Sequence, residues 1–177
     1  MDKTQKCISL ETAKRLDALG IKVDSEWWWL SYDYPIHYDS KSEYGFNPNG
    51  KMSTMDFSIG DKSQIEHLKI LPTITKLKYY RAYDTAELGE MLPPTIGDKT
   101  WLQYTSSTGG NNLFKTLSYT KWEEDKGVGH MLPKHIHSIR FNKYYGDEEY
   151  RMTEAEARGL MLVWLIENKH IKAEDIK

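Results

Sequence analysis

Thr153-Glu154-Ala155-Glu156-Ala157-Arg158-Gly159-Leu160-Met161-Leu162-Val163-Trp164-Leu165-Ile166-Glu167-Asn168-Lys169 decides the fold. Thr153 and Glu156 have capping-box spacing, so the stretch opens as a helix. From Leu160 to Ile166 every residue is apolar, which leaves no polar face over two turns. A helix apolar all round must be buried on more than one side. At about 1.5 Å per residue it spans roughly 24 Å, and its charged ends do not suit a bilayer. Gly159 lies inside it at a cost of about 1 kcal/mol relative to Ala. The expected compensation is the close approach of a neighbouring element.

Working outward, residues 7–20 read as an amphipathic helix. Ser9 is its N-cap, Leu10, Ala13, Leu16 and Leu19 form its stripe, and Gly20 is its stop. Glu26 to Tyr34 reads as a strand with Trp on both faces, for which core packing is the simpler reading and a ligand platform the alternative. Asn47-Pro48-Asn49-Gly50 is a turn signal, followed by a strand over Lys51 to Ile59. Ser63 with Glu66 suggests a short helix through Leu68, with a strand as the competing reading. Lys76 to Ala82 is extended. Asp84 and Glu87 cap a short helix that Pro93-Pro94 end. Extended runs follow at Thr100–Ser106, Leu113–Glu123 and His135–Tyr145, with a hairpin loop between the first two and a longer loop, Glu124 to Lys134, between the others. The expected architecture is α+β, an antiparallel sheet packed against the buried C-terminal helix and the N-terminal amphipathic helix. One domain over 1–177 is expected, with an irregular insert at about 35–75.

The formal net charge of −2 over 177 residues argues against a dedicated duplex-DNA binder. Lys62 to Arg81 is locally basic, with five Lys or Arg against one Glu, and Asp147 to Glu156 is acidic. Cys7 is the lone cysteine, which excludes an intrachain disulfide and a cysteine-built zinc site. The first twenty residues lack an apolar signal-like run, so a cytoplasmic protein without membrane attachment is expected.

No stretch carries a motif for a catalytic nucleophile, a phosphate loop or a zinc protease, and no catalytic residue or cofactor is assigned. His130, His135 and His137 are weak metal candidates: alternation on a strand places the last two on one face. Cations interleaved with rings are the richer signal. Arg81, Tyr79, Trp101, Tyr104, Lys115, Tyr119 and Arg140 would bind a nucleotide-like ligand if their strands were adjacent and their faces shared. A solvated strand face is the plainer alternative.

Three segments, Cys7 to Leu16 with Leu19-Gly20, Ala82-Tyr83-Asp84-Thr85-Ala86-Glu87-Leu88-Gly89-Glu90-Met91-Leu92-Pro93, and Thr153 to Arg158 running into Met161–Asn168, resemble a family of small proteins encoded by phages and prophages of gut bacteria. The resemblance implies a shared fold and carries over no catalytic residues. The chain departs from that pattern in its 35–75 region and at Gly159, where Ala is expected. It implies an accessory binding protein in the host bacterial cytosol, non-enzymatic, in the manner of counter-defence proteins that sequester a nucleotide-like signal. A protein-interaction or virion-assembly factor without a small-molecule ligand is the alternative, and a metal-dependent hydrolase built on the His cluster is the second. A homo-oligomer would suit the all-round apolar helix, and a host protein is the other expected partner.

Overall fold

The computed structural model describes residues 6–35, 52–98, 100–109, 112–125, 130–142 and 152–176. The Asn47–Gly50 turn signal and most of the 35–51 stretch lie outside them, as does the end of the His135–Tyr145 run. The fold is α+β, with antiparallel sheets and a C-terminal helix. The chain divides into two compact units, Asp24–Ala82 and the combination of Met1–Val23 with Tyr83–Lys177.

In the Asp24–Ala82 unit, β1 (Trp27–Pro35) is the centre of a three-stranded sheet. It is flanked by β2 (Met52–Asp61) and β3 (Thr75–Arg81), both antiparallel to it. Alternation sends Trp28 and Leu30 to one face. There α2 (Lys62–Ile70) covers them with Ile65 and Leu68. Trp28 donates its indole N–H to Ser25 O (2.9 Å), so its only polar atom is satisfied in the core. The Ser63/Glu66 cap expected for α2 is not the one formed. Asp61, the last residue of β2, caps the helix and shares a reciprocal box with Gln64. An aspartate at a strand end already has the extended backbone an N-cap requires, and that shifts the helix start two residues earlier. A bulge between Ser31 and Asp33 breaks the register of β1. Near it, the buried Asp33 accepts from Thr54 Oγ1 (2.5 Å) and pairs with Lys76 Nζ (2.8 Å). These partners hold its carboxyl below the usual range, the Lys76 bond first.

In the other unit, α4 (Glu154–Glu167) is the core. Ala155, Ala157, Gly159, Met161, Leu162, Val163 and Leu165 are all buried. Three elements of the same chain surround it: α1 (Leu10–Ala18), α3 (Thr85–Met91) and β6 (His130–Asn142). Its own chain thus covers most of its apolar circumference, with Leu160, Trp164 and Ile166 partly buried. Each fully buried Leu or Met contributes on the order of 1.5–3 kcal/mol, which makes the apolar run from Leu160 to Ile166 a main source of stability in this unit.

Ser9 caps α1 as expected, accepting from Thr12 N–H, and Gly20 ends it with φ +90°. Asp84 and Glu87 form the expected box at α3. The box at α4 is only half formed. Thr153 Oγ1 accepts from Glu156 N–H (3.1 Å), but the Glu156 carboxylate turns away to α1. It accepts from Ser9 N–H (2.7 Å), Ser9 Oγ (3.0 Å) and Thr12 Oγ1 (2.5 Å). A carboxylate at a helix N-terminus is favoured by the positive end of the dipole, and here one carboxylate serves the N-termini of two helices. Gly159 lets α1 approach. A Cβ there would lie 2.7 Å from Ile8 Cγ2 and 2.9 Å from Thr12 Cγ2.

The sheet of this unit has the order β4-β5-β6, with β4 (Thr100–Gly109) and β5 (Asn112–Asp125). The expected loop from Glu124 to Lys134 is mostly strand: β5 and β6 pair as far as Asp125 with His130. Pro133 lies within β6, opposite Trp122 of β5, and β6 is an edge strand, where a proline is tolerated. Beyond Lys121 the two strands continue without β4 as a two-stranded ribbon.

Candidate functional site

The seven ring and cation candidates do not share one surface. They fall into three groups. Tyr79 and Arg81 lie on β3 of the Asp24–Ala82 unit, and the other five lie on the β4-β5-β6 sheet of the other unit.

On that second sheet the register separates the five. Lys115, Leu117 and Tyr119 point to one side, with Tyr104 opposite Leu117. This is the side facing α4. Tyr104 O–H donates to Glu154 (3.3 Å), and its ring packs on Phe141 at 5.7 Å. Lys115 Nζ lies 5.1 Å from the Tyr104 ring centre. Tyr119 is fully buried and donates to Pro93 O at 2.5 Å. Burial pushes its phenol well above the ordinary tyrosine range, so it stays protonated and acts as a core residue. Trp101 and Arg140 face the other way, opposite Thr120 and Thr116. Between them the central strand carries Ser118 and Thr120, both fully buried.

His135 and His137 are not on one face. A bulge between Tyr119 and Thr120 of β5 pairs His137 with Tyr119 and His135 with Thr120, which leaves Ile136 as the extra residue. His135 Nδ1 meets Thr120 Oγ1 at 2.9 Å, while His137 stacks on Trp164 at 4.4 Å and 5°. The shared-face expectation is thus overturned, because one extra residue reverses the side on which every following side chain emerges. The His130 side chain lies outside the described residues. Among the described residues, no group of three His, Cys, Asp or Glu side chains is disposed to hold a metal ion.

The rings and cations that do come together are in the Asp24–Ala82 unit. Arg81 lies with its guanidinium carbon 4.8 Å from the Trp28 ring centre. Tyr79 meets Trp28 edge-on at 5.7 Å and 70°, and Lys69 Nζ lies 4.8 Å from the Tyr79 ring centre. The result is an alternating row, Arg81–Trp28–Tyr79–Lys69. Register explains half of it: Trp28 pairs with Arg81 and Leu30 with Tyr79, so all four side chains emerge on the α2 side. Lys69 comes from α2. Lys69 is not among the residues the sequence singles out, and Trp28 enters there as a core ring with a ligand platform as the alternative. The basic run from Lys62 to Arg81 was the available signal, but cross-strand pairing was needed to show which of its cations meet a ring. Each cation–π contact contributes about 0.5–1 kcal/mol when exposed. Tyr79 remains 41% exposed, so part of the row is open to solvent.

Alongside α2, on the side toward β2, runs a groove of about 430 Å³ lined by Leu30, Tyr32, Met55, Ile59, Leu68 and four polar residues. Gly60 permits the helix to lie this close, since a Cβ there would strike the Gln64 and Leu30 side chains.

No protein-family model matches the chain, and neither a curated protein nor a solved structure is found to match it. Among the described residues no helix is long and apolar enough to cross a membrane.

Proposed function

We propose that the chain is a non-enzymatic accessory binding protein of phage or prophage origin, which holds a nucleotide-like ligand on its Asp24–Ala82 unit. The observation that carries this reading is the Arg81–Trp28–Tyr79–Lys69 row. The row sets cations beside the partly exposed ring of Tyr79, which supplies the positive charge a nucleotide's phosphate needs next to an aromatic surface. A protein of this kind would act in the host cytosol by sequestering a nucleotide signal of the host's defence.

The test is a thermal-shift panel of linear and cyclic nucleotides, with recovered ligand checked for chemical change. Binding raises the melting temperature by mass action, and the ligand returns intact. Lys69→Ala, an exposed substitution, should weaken binding about twofold to fivefold, the loss of one modest cation contact. A flat panel rejects the reading.

A second reading, a protein-interaction or virion-assembly factor, is favoured by a different observation. Trp101, Trp122 and Met131 are exposed on one face of β4 and the β5–β6 ribbon. Large apolar side chains exposed together mark protein contact surfaces.

A further inference from the structure

We propose that the groove between α2 and the β1–β2 strands is a binding site for an uncharged planar heterocycle, the base of the nucleotide-like ligand. The proposal rests on the binding reading above and names the part of the ligand that this cleft takes.

Helical spacing divides α2 into two flanks. Lys62, Ile65, Glu66 and Lys69 lie on one flank, related by spacings of three and four residues, and Ser63, Gln64, His67 and Leu68 lie on the other in the same way. The first flank carries the cation of the ring row. The second lines the groove. One helix thus separates a charged flank from an uncharged one.

The groove has the composition of a small-molecule site. Leu30, Met55 and Leu68 make its apolar part, and its 430 Å³ falls within the range of about 300–1,000 Å³ usual for such sites. Tyr32, Ser58, Ser63, Gln64 and His67 supply polar groups around it. Several are unspent. Gln64 uses its Oε1 to accept from Asp61 N–H, which leaves its amide N–H groups to donate. Ser63 donates to Asp61 Oδ1 and keeps its acceptor lone pairs. The side chains of Tyr32, Ser58 and His67 make no hydrogen bond among the described residues. Both donors and acceptors are therefore available beside this apolar part.

Charge decides the ligand class. No Asp, Glu, Lys or Arg lines the groove. A phosphate or carboxylate placed there would find no Lys or Arg to pair with. An uncharged ring with donors and acceptors along its edge needs none. A nucleobase is such a ring.

The test uses the full chain and uncharged nucleosides as probes, followed by ligand-observed NMR. Nucleosides should contact the wild-type protein. Ser58→Trp, which fills the groove from β2, should weaken them at least tenfold. His67→Ala, on the exposed side of α2, should weaken them severalfold; it carries the test alone if Ser58→Trp lowers the melting temperature. Nucleosides that leave the wild-type protein untouched, or that bind both variants as well as the wild type, overturn the proposal. Nucleotides that respond to Lys69→Ala but not to Ser58→Trp or His67→Ala would overturn the groove while leaving the binding reading in place. If neither nucleosides nor nucleotides bind, both fail together.

Discussion

Replacing Gly159 with Ala sets two effects of opposite sign against each other, and the structure says which is larger. In an isolated helix the change is favourable by about 1 kcal/mol, because Ala is the better helix former. In this chain the new methyl would sit 2.7 Å from Ile8 Cγ2 and 2.9 Å from Thr12 Cγ2. Neither neighbour yields easily. Ile8 is completely buried, and its N–H is tied to Tyr83 O at 3.0 Å. Thr12 has its hydroxyl committed to Glu156, so its methyl cannot rotate away without breaking that bond. Overpacking of this kind costs about 1–3 kcal/mol, and two pinned neighbours place it in the upper part of that range. The expected net effect is a loss of roughly 1–2 kcal/mol, which lowers the melting temperature by about 2–8 °C in a chain of this size. Urea denaturation of wild type and Gly159→Ala measures it. Ile8→Ala in the same background removes the obstructing methyl, so the double-mutant cycle should show favourable coupling of about 1 kcal/mol or more. A Gly159→Ala protein more stable than wild type would refute the close contact between α1 and α4.

Two further outcomes follow from the same unit. Glu156→Ala leaves three donors of α1 without their acceptor and should destabilise by about 3 kcal/mol or more; Glu156→Gln should fall between, since an amide presents N–H groups to those donors. A loss under about 0.5 kcal/mol in urea denaturation, the size of an ordinary surface substitution, would show that the carboxylate does not join the helices. His137 is shifted below its ordinary value of 6.5 by burial against Trp164. The unfolded chain therefore takes up this proton more readily, and the contribution of His137 is complete above 6.5 and declines as pH falls through the window beneath it. His137→Phe, which keeps the stack, should flatten the urea midpoint between pH 6.5 and 5; identical slopes in the two proteins would sink the assignment.

Much of the helical framework was legible because helix starts are local. The caps at Ser9 and Asp84 need only a short polar side chain and a turn of backbone, both visible in a few consecutive residues. The same locality misled at Glu156. Its spacing from Thr153 is right for a box within one helix, yet its carboxylate is drawn to Ser9 and Thr12, more than 140 residues away in sequence. The candidate site was less legible still. Tyr79 and Arg81 were found from their composition, but their partners Trp28 and Lys69 come from a cross-strand neighbour and from a helix laid over the sheet. Tyr119 looked like a platform ring and is a core phenol bonded to Pro93.

The sequence by itself determined the α+β class, the identity of α4 as the buried rod and the need for something to lie close to Gly159. Each of these depends on apolar content and on periods of two or 3.6 residues, which belong to the chain before it folds. Tertiary structure alone decided which strands pair, where the bulge falls in the β5–β6 pairing, and hence which rings meet which cations. The physical reason is that a strand's faces are fixed by its register to a neighbour, and one inserted residue exchanges them without leaving any mark in composition or spacing.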